Sequence, residues 1–315
     1  MITVFLKVLI VFLMIGTGFL ANKKGVLPSQ SSPYLVNLLL IITSPCLIIS
    51  SMVSSELTPD LFQQTIEVII GSLVFFILSM LLSLLIVKLL KYQPREDSGV
   101  LMVIMTALNT GFMGFPITKA IFGDRYLFLM VMFNIVLNIY LYLASIIQMN
   151  YGSHEKSDFK SVIGSAINLC TISSFIGLGM LLLHIKFPPI FMEFFKTVGD
   201  ATIPISMLVV GVQLADRNLK AMIKNIKLVI ASVVNVALMP ALTFVAVEFL
   251  PIATDSKVAL VFATSMPCAV AVVGVAAMEK KNAHLMAEGV ALTTAMSMVS
   301  LPLWASFLLN HYGLS

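Results

Sequence analysis

The feature that most constrains this chain is a succession of long apolar runs joined by short segments that carry most of the charge. The runs cover residues 2–20, 34–54, 64–90, 99–121, 126–149, 161–184, 198–214, 226–250, 258–278 and 284–309. A helix needs about 20 mostly apolar residues to cross a bilayer. Backbone in hydrocarbon must also satisfy its own hydrogen bonds, so runs of this length read as helices; the strands of a membrane barrel would be shorter and would alternate. The sequence therefore predicts an all-α integral membrane protein of ten transmembrane helices. Composition agrees, with 59% hydrophobic and 11% charged residues in 315, against roughly 45–50% and 25% in soluble domains. Ten spans use nearly the whole length, which leaves no room for a separate catalytic domain.

Orientation follows from counting Lys and Arg on alternate sides of the runs. The odd-numbered connections hold Lys23, Lys24, Lys88, Lys91, Arg95, Lys156, Lys160, Arg217, Lys220, Lys224, Lys227, Lys280 and Lys281, thirteen in all, against five (Lys119, Arg125, Lys186, Lys196, Lys257) on the other side. The odd connections are expected in the cytoplasm of a cell-membrane protein, with both termini extracytoplasmic. The first run is read as a transmembrane helix and not as a signal peptide, because its basic residues follow the apolar stretch. The net charge of +4 is spread over these turns and forms no patch for nucleic acid. Cys46, Cys170 and Cys268 each lie within an apolar run without metal-ligand spacing, so they read as packing residues.

Ten spans divide into two sets of five, and an odd number per set turns the second set upside down relative to the first. Residues 1–149 form the first predicted repeat, 150–160 a polar cytoplasmic linker, and 161–315 the second, inverted repeat. Proline placement supports this division: Pro45 and Pro116 fall in runs 2 and 4, Pro204 and Pro267 in runs 7 and 9.

Run 4 carries the most informative stretch, Asn109-Thr110-Gly111-Phe112-Met113-Gly114-Phe115-Pro116. Proline removes a helix donor and crowds a carbonyl, and the two glycines loosen the same turns. A helix broken at mid-membrane exposes N–H groups at one new end and carbonyls at the other, the means by which inverted-repeat transporters hold ligands. The alternative is a simple kink with Asn109 bonded to local backbone. Run 9 has a matching stretch, Thr264-Ser265-Met266-Pro267-Cys268-Ala269-Val270-Ala271, whose Thr264, Ser265, Met266 and Pro267 are the expected site residues, and two such interruptions related by inversion are expected to cross near the midplane as broken helices 4 and 9. Ser44, just before Pro45, and Asn138, one turn beyond Asn134 in run 5, are further polar groups expected near that crossing or bonded to a neighbouring helix.

Glu288 stands just inside run 10, with Thr293 and Thr294 further along. An ionisable group within a span is costly unless it faces a cavity or a partner, so Glu288 reads either as a coupling group for H+ or Na+ or as a partner of Lys280, Lys281 or His284. Asp200, a turn before Pro204, reads either as a helix-capping carboxylate or as a second coupling group. There is no HExxH, no paired intramembrane aspartate and no matched Ser and His, so neither an intramembrane enzyme, a bound metal nor another cofactor is expected.

The chain resembles the auxin efflux carrier family, prokaryotic permease type, which is similar in architecture to bile acid sodium symporters. The resemblance rests on an ordered set: Ile15 to Leu20 followed by Lys23-Lys24-Gly25, Pro45-Cys46-Leu47-Ile48, Asn109 to Pro116, Ile203-Pro204-Ile205 with Gly211 and Leu214, Met266 to Ala269, and Thr293 to Ser297 leading to Leu301-Pro302-Leu303. It implies a scaffold of spans 1, 2, 6 and 7, a mobile core of spans 3–5 and 8–10, an elevator-like cycle and a homodimer in the lipid membrane. By position, Asn109 and the breaks at Pro116 and Pro267 would line the substrate site. The expected substrate is a small organic anion, a mono- or dicarboxylate such as malate or malonate; the alternatives are an aromatic or steroid carboxylate, or a channel or sensor on the same fold. The long central loop often found in plant auxin carriers is absent here, which favours the permease type.

Overall fold

The computed structural model describes residues 2–55, 58–152, 169–183, 185–215 and 222–314, with side chains from Leu9 onward. Of the expected linker only Asn150, Tyr151 and Gly152 fall within these limits. Lys156, Lys160, Arg217 and Lys220, which count toward the expected orientation, lie outside the described residues, as does run 6 before Leu169.

Every regular element among the described residues is helical. The first half contains α1 (Ile2–Lys23), α2 (Ser32–Leu38), α3 (Ser44–Ser54), α4 (Pro59–Leu90), α5 (Ser98–Thr106), α6 (Phe115–Phe122), α7 (Asp124–Ile139) and α8 (Ser145–Met149). The second contains α9 (Leu169–Leu182), α10 (Pro189–Asp200), α11 (Thr202–Ala215), α12 (Ile226–Val233), α13 (Met239–Glu248), α14 (Thr254–Thr264), α15 (Ala271–Met278) and α16 (Ala283–Tyr312). Among the described residues seven helical stretches, some of them with a local interruption, are long and apolar enough to cross a membrane: Ser29–Ser54, Pro59–Leu90, Arg95–Phe122, Asp124–Met149, Pro189–Ala215, Ile226–Glu248 and Ala283–Tyr312. Shorter apolar helices cover Leu9–Lys23 and Leu169–Leu182. The ninth expected run is divided between α14 and α15.

Prolines set the local irregularities. Three π-helical turns, Leu39–Thr43, Thr110–Gly114 and Val234–Leu238, each end two residues before a proline: Pro45, Pro116 and Pro240. A proline ring crowds the carbonyl four residues back, and the chain answers by widening the turn. The amide just before each proline then bonds to the carbonyl five residues back: Ser44 to Leu39, Phe115 to Thr110 and Met239 to Val234. Pro204 acts differently, in the first turn of α11, where a missing donor costs little. Ahead of it lies α10, an element the hydropathy reading did not separate. Ile190, Phe191 and Phe194 of α10 are exposed while the helix packs against α3, and the polar residues among them hide it from a simple apolar-run search.

The helices pack as two groups. In one, α1 lies along α11, and α3 lies against α9 and α10. In the other, α4, α5, α7 and α14 share contacts, α5 touches α12 and α16, and α15 packs on α16. The groups meet where α6 rests on α1 and α11, where α7 meets α3 and α9, and where α16 meets α1 and α11. The α1–α11 seam depends on two glycines. A Cβ on Gly211 would lie 2.1 Å from the Ile15 carbonyl oxygen, and one on Gly18 would lie 2.3 Å from that of Leu208. Two backbones this close gain dispersion contacts that lipid cannot match.

Gly211→Leu is expected to force α1 off α11 and to lower stability by about 1–3 kcal/mol or more, seen as a lower thermal unfolding midpoint in detergent. Gly16→Ala, where a Cβ meets nothing within 4 Å, is expected to leave the midpoint unchanged.

Candidate functional site

The centre of the molecule is built from two interrupted helices. One runs α5, an irregular stretch of residues 107–109, a π turn, then α6; the other runs α14, an irregular stretch of residues 265–270, then α15. They touch where the Asn109 amide donates to the Pro267 carbonyl at 2.8 Å. Pro267 has no N–H to return, so the contact is a single main-chain bond between two breaks.

Neighbouring side chains take up the groups that the breaks release. Asn235, fully buried in the π turn between α12 and α13, donates through Nδ2 to the carbonyls of Met105 (3.3 Å) and Ala107 (3.5 Å) at the end of α5. Thr293 of α16 accepts from the Cys268 amide at 3.1 Å and donates to the Gly289 carbonyl at 2.8 Å. Asn109 caps the turn that follows it, its Oδ1 accepting from the Phe112 amide at 3.3 Å. Thr110 donates to Asn134 Oδ1 at 2.7 Å. Beneath α5, the Thr106 hydroxyl meets Tyr140 and Gln148, and Gln148 Nε2 reaches Ser83 at 3.1 Å. This buried polar chain fixes the end of α5 to α4, α8 and the π turn at Tyr140.

A cavity of about 310 Å³ opens beside the crossing. Ser44, Asn109, Gly111, Phe115 and Asn138, all expected from sequence, line it together with Asn134. Gly111 borders open space, since a Cβ there would meet only Asn134 Oδ1, at 3.9 Å. Asn109 Nδ2 is buried and has no hydrogen-bond partner among the described residues. From the second break the lining residues are Ala269, Val270, Ala271 and Gly274, just beyond Thr264, Ser265, Met266 and Pro267, the four expected to bind. Thr264 and Ser265 are buried and donate back to Val261 and Phe262 of their own helix. Met266, Pro267, Gly114 and Pro116 are packed around the crossing and do not line the cavity. Among the described residues no lining side chain is charged. Because Gly111, Phe112, Val270 and Ala271 begin the second segment of each interrupted helix, the cavity faces the ends where the backbone carries partial positive charge.

The expected coupling residues lie apart from this cavity. Glu288 is one-quarter exposed, with His284 Nδ1 at 3.8 Å, and Asp200 forms an ion pair with Lys119 at 2.6 Å. Thr294 donates to the Val290 carbonyl at 2.7 Å and lines a second cavity of about 240 Å³, bounded also by Ser29, Ser32 and Gln213. Val270 borders both cavities. Among the described residues no group of three or more His, Cys, Asp or Glu side chains is placed to hold a metal ion.

A model of the family described as Membrane transport protein matches residues 3–305. The chain belongs to that family, the group of the auxin efflux carriers. This transporter is also 26% identical, over 96% of its own length and 98% of the relative's, to the uncharacterized transporter MJ1031 of Methanocaldococcus jannaschii. Family and long apolar helices together make the transporter a multi-pass membrane protein.

Asn235 escaped the sequence reading, since a lone asparagine in an apolar run gives no sign of which carbonyls it will reach. Asn235→Ala would leave the Met105 and Ala107 carbonyls buried without that donor and is expected to destabilise the transporter by about 1–3 kcal/mol in detergent unfolding. Asn235→Asp, which turns an acceptor toward them, is expected to cost more than Asn235→Ala.

Proposed function

We propose that this protein is a carrier that moves a small carboxylate across the cell membrane through the cavity beside the crossed breaks. The observation that carries the reading is the pairing of Asn109 Nδ2, a buried donor without a partner among the described residues, with two segment starts that face the same cavity. A carboxylate oxygen would accept from that amide and be favoured by the partial positive charge of those ends. Thr110, through Asn134, would hold the amide-rich wall in place.

The uncharged lining bears on the kind of carboxylate. A malate or malonate dianion would bring two charges into a site without a cationic side chain, and an unpaired buried charge costs several kcal/mol. A singly charged carboxylate with an apolar body fits better: one end meets Asn109 and the segment starts, the remainder meets Leu108, Phe112 and Leu137.

The same proposal takes ten transmembrane helices in two inverted repeats, residues 1–149 and 161–315, with external termini. It takes the α1, α3, α9 and α11 group as scaffold, the group around α4, α5, α7, α14 and α16 as the part that moves, and two chains as the assembly. The sparse contacts between the groups support such sliding. The second cavity, near Lys23, Lys24, Lys280 and Lys281 in sequence, would lead toward the cytoplasm. Glu288, Thr293 and Thr294 remain the residues proposed to link transport to H+ or Na+.

Counterflow of radiolabelled benzoate and malonate in proteoliposomes tests the reading. Saturable benzoate exchange is expected, with weaker exchange of malonate. Asn109→Ala is expected to lower benzoate exchange about tenfold or more, as loss of a hydrogen bond to a charged group would, while the protein stays folded with its stability reduced by about 0.5–2 kcal/mol for the lost cap on Phe112. Undiminished exchange by Asn109→Ala would overturn the site, and non-saturable flux would indicate a channel.

A further inference from the structure

An ion pair joins the two packing groups at the end of their interface remote from the second cavity. Lys119 is on α6, the segment that continues from the Asn109 break, and Asp200 ends α10 just before α11 begins; their Nζ and Oδ1 atoms are 2.6 Å apart. The second cavity touches Val212 and Leu214 at the other end of α11. With 14 residues in that helix, the two ends are separated by about 20 Å.

Two further observations make this contact a switch and not a fixed clamp. Lys119 has a second carboxylate within reach, Asp124 Oδ1 at 3.7 Å, which belongs to its own group, just past the turn at Gly123. The ammonium therefore has one partner on each side of the interface and keeps a counter-charge whichever it leaves. Next to the paired residues in the chain, on α6 and at the start of α11, the hydroxyls of Thr118 and Thr202 are buried and have no hydrogen-bond partner among the described residues. Leaving buried hydroxyls unpaired opposes the closed contact, so separation of α6 from α11 would relieve that penalty while Lys119 passes to Asp124.

We propose that the Lys119–Asp200 pair is a latch that closes the face of the cavity opposite the second cavity, and that transfer of Lys119 from Asp200 to Asp124 accompanies its opening. The proposal rests on the carrier reading given above. Asp200 is 46% exposed and Lys119 18%, so the pair is partly screened by solvent and its strength is modest, as a latch that opens in every cycle requires.

The test reads accessibility and needs no substrate. Gly274→Cys places a thiol in open space at the cavity wall, in a background where Cys46, Cys170 and Cys268 are replaced by Ala. Labelling by a membrane-impermeant maleimide is compared in right-side-out and inside-out vesicles. The parent is expected to label mainly from one face. Asp200→Asn is expected to raise labelling from the other face roughly fivefold, the scale of a partly exposed ion pair. Asp124→Asn is expected to lower it, and the exchange Lys119→Asp with Asp200→Lys to re-form the closed pair and hold labelling from that face at or below the parent level, because a carboxylate on α6 cannot pass to Asp124. One-sided labelling that Asp200→Asn and Asp124→Asn leave unchanged would overturn the latch while the carrier reading stands. Labelling from neither face in any variant would overturn both.

Discussion

The fold turns on one main-chain hydrogen bond, from the Asn109 amide to the Pro267 carbonyl. Within a membrane an interrupted helix is tolerated only where other groups take over its lost bonds. A single break would have to find all of those partners among side chains. Two breaks placed against each other supply part of the need from backbone, and the remainder is met by a few residues that reach in from α16 and from the turn between α12 and α13. The arrangement explains why polar residues cluster here in a chain that is otherwise apolar.

Satisfaction of the breaks is nevertheless incomplete, and the shortfall has a direction. The carbonyl end of α5 is covered by Asn235, whereas the side-chain Nδ2 of Asn109 has no partner among the described residues. Asn235 Oδ1 is likewise buried without a partner among the described residues, but it does not line the cavity, so the group left over at the cavity wall is a donor. A site with surplus donors and no charged side chain discriminates by hydrogen bonding and by partial charge, which is milder than an ion pair and suits a guest that must leave as readily as it arrives.

Much of this was legible in the sequence because proline and glycine act locally. Pro116 with Gly111 and Gly114 announces a broken helix, and Pro267 announces its counterpart, whatever the tertiary structure. Helical class follows as directly from the apolar runs. What stayed hidden depends on partners distant in the chain: Asn235 reaches carbonyls some 130 residues away, and nothing near it in sequence marks them. Thr264 and Ser265 show the opposite limit. Their hydroxyls looked like site groups, but a serine or threonine inside a helix has its own earlier carbonyls within reach, and both took that local option. The residues that do face the cavity, from Ala269 to Gly274, are small and apolar and carry no chemical label. Their role follows from the shape of the break and not from their side chains.

The two packing groups are held by different physics. Along α1 and α11 the backbones touch through Gly18 and Gly211, a contact that any side chain would spoil and that tolerates little movement. Between the groups, α6 meets α1 and α11 and is tied to the end of α10 by an ion pair, with the unpaired hydroxyls of Thr118 and Thr202 next to it in the chain. Tight seams within a group and adjustable ones between groups make the boundary the place where displacement costs least. The cavity lies on that boundary, with Ser44 and Cys170 on one side and Asn109 and Asn134 on the other. A site divided in this way loses half of its wall whenever the groups shift, so movement and release of a bound guest are mechanically the same event.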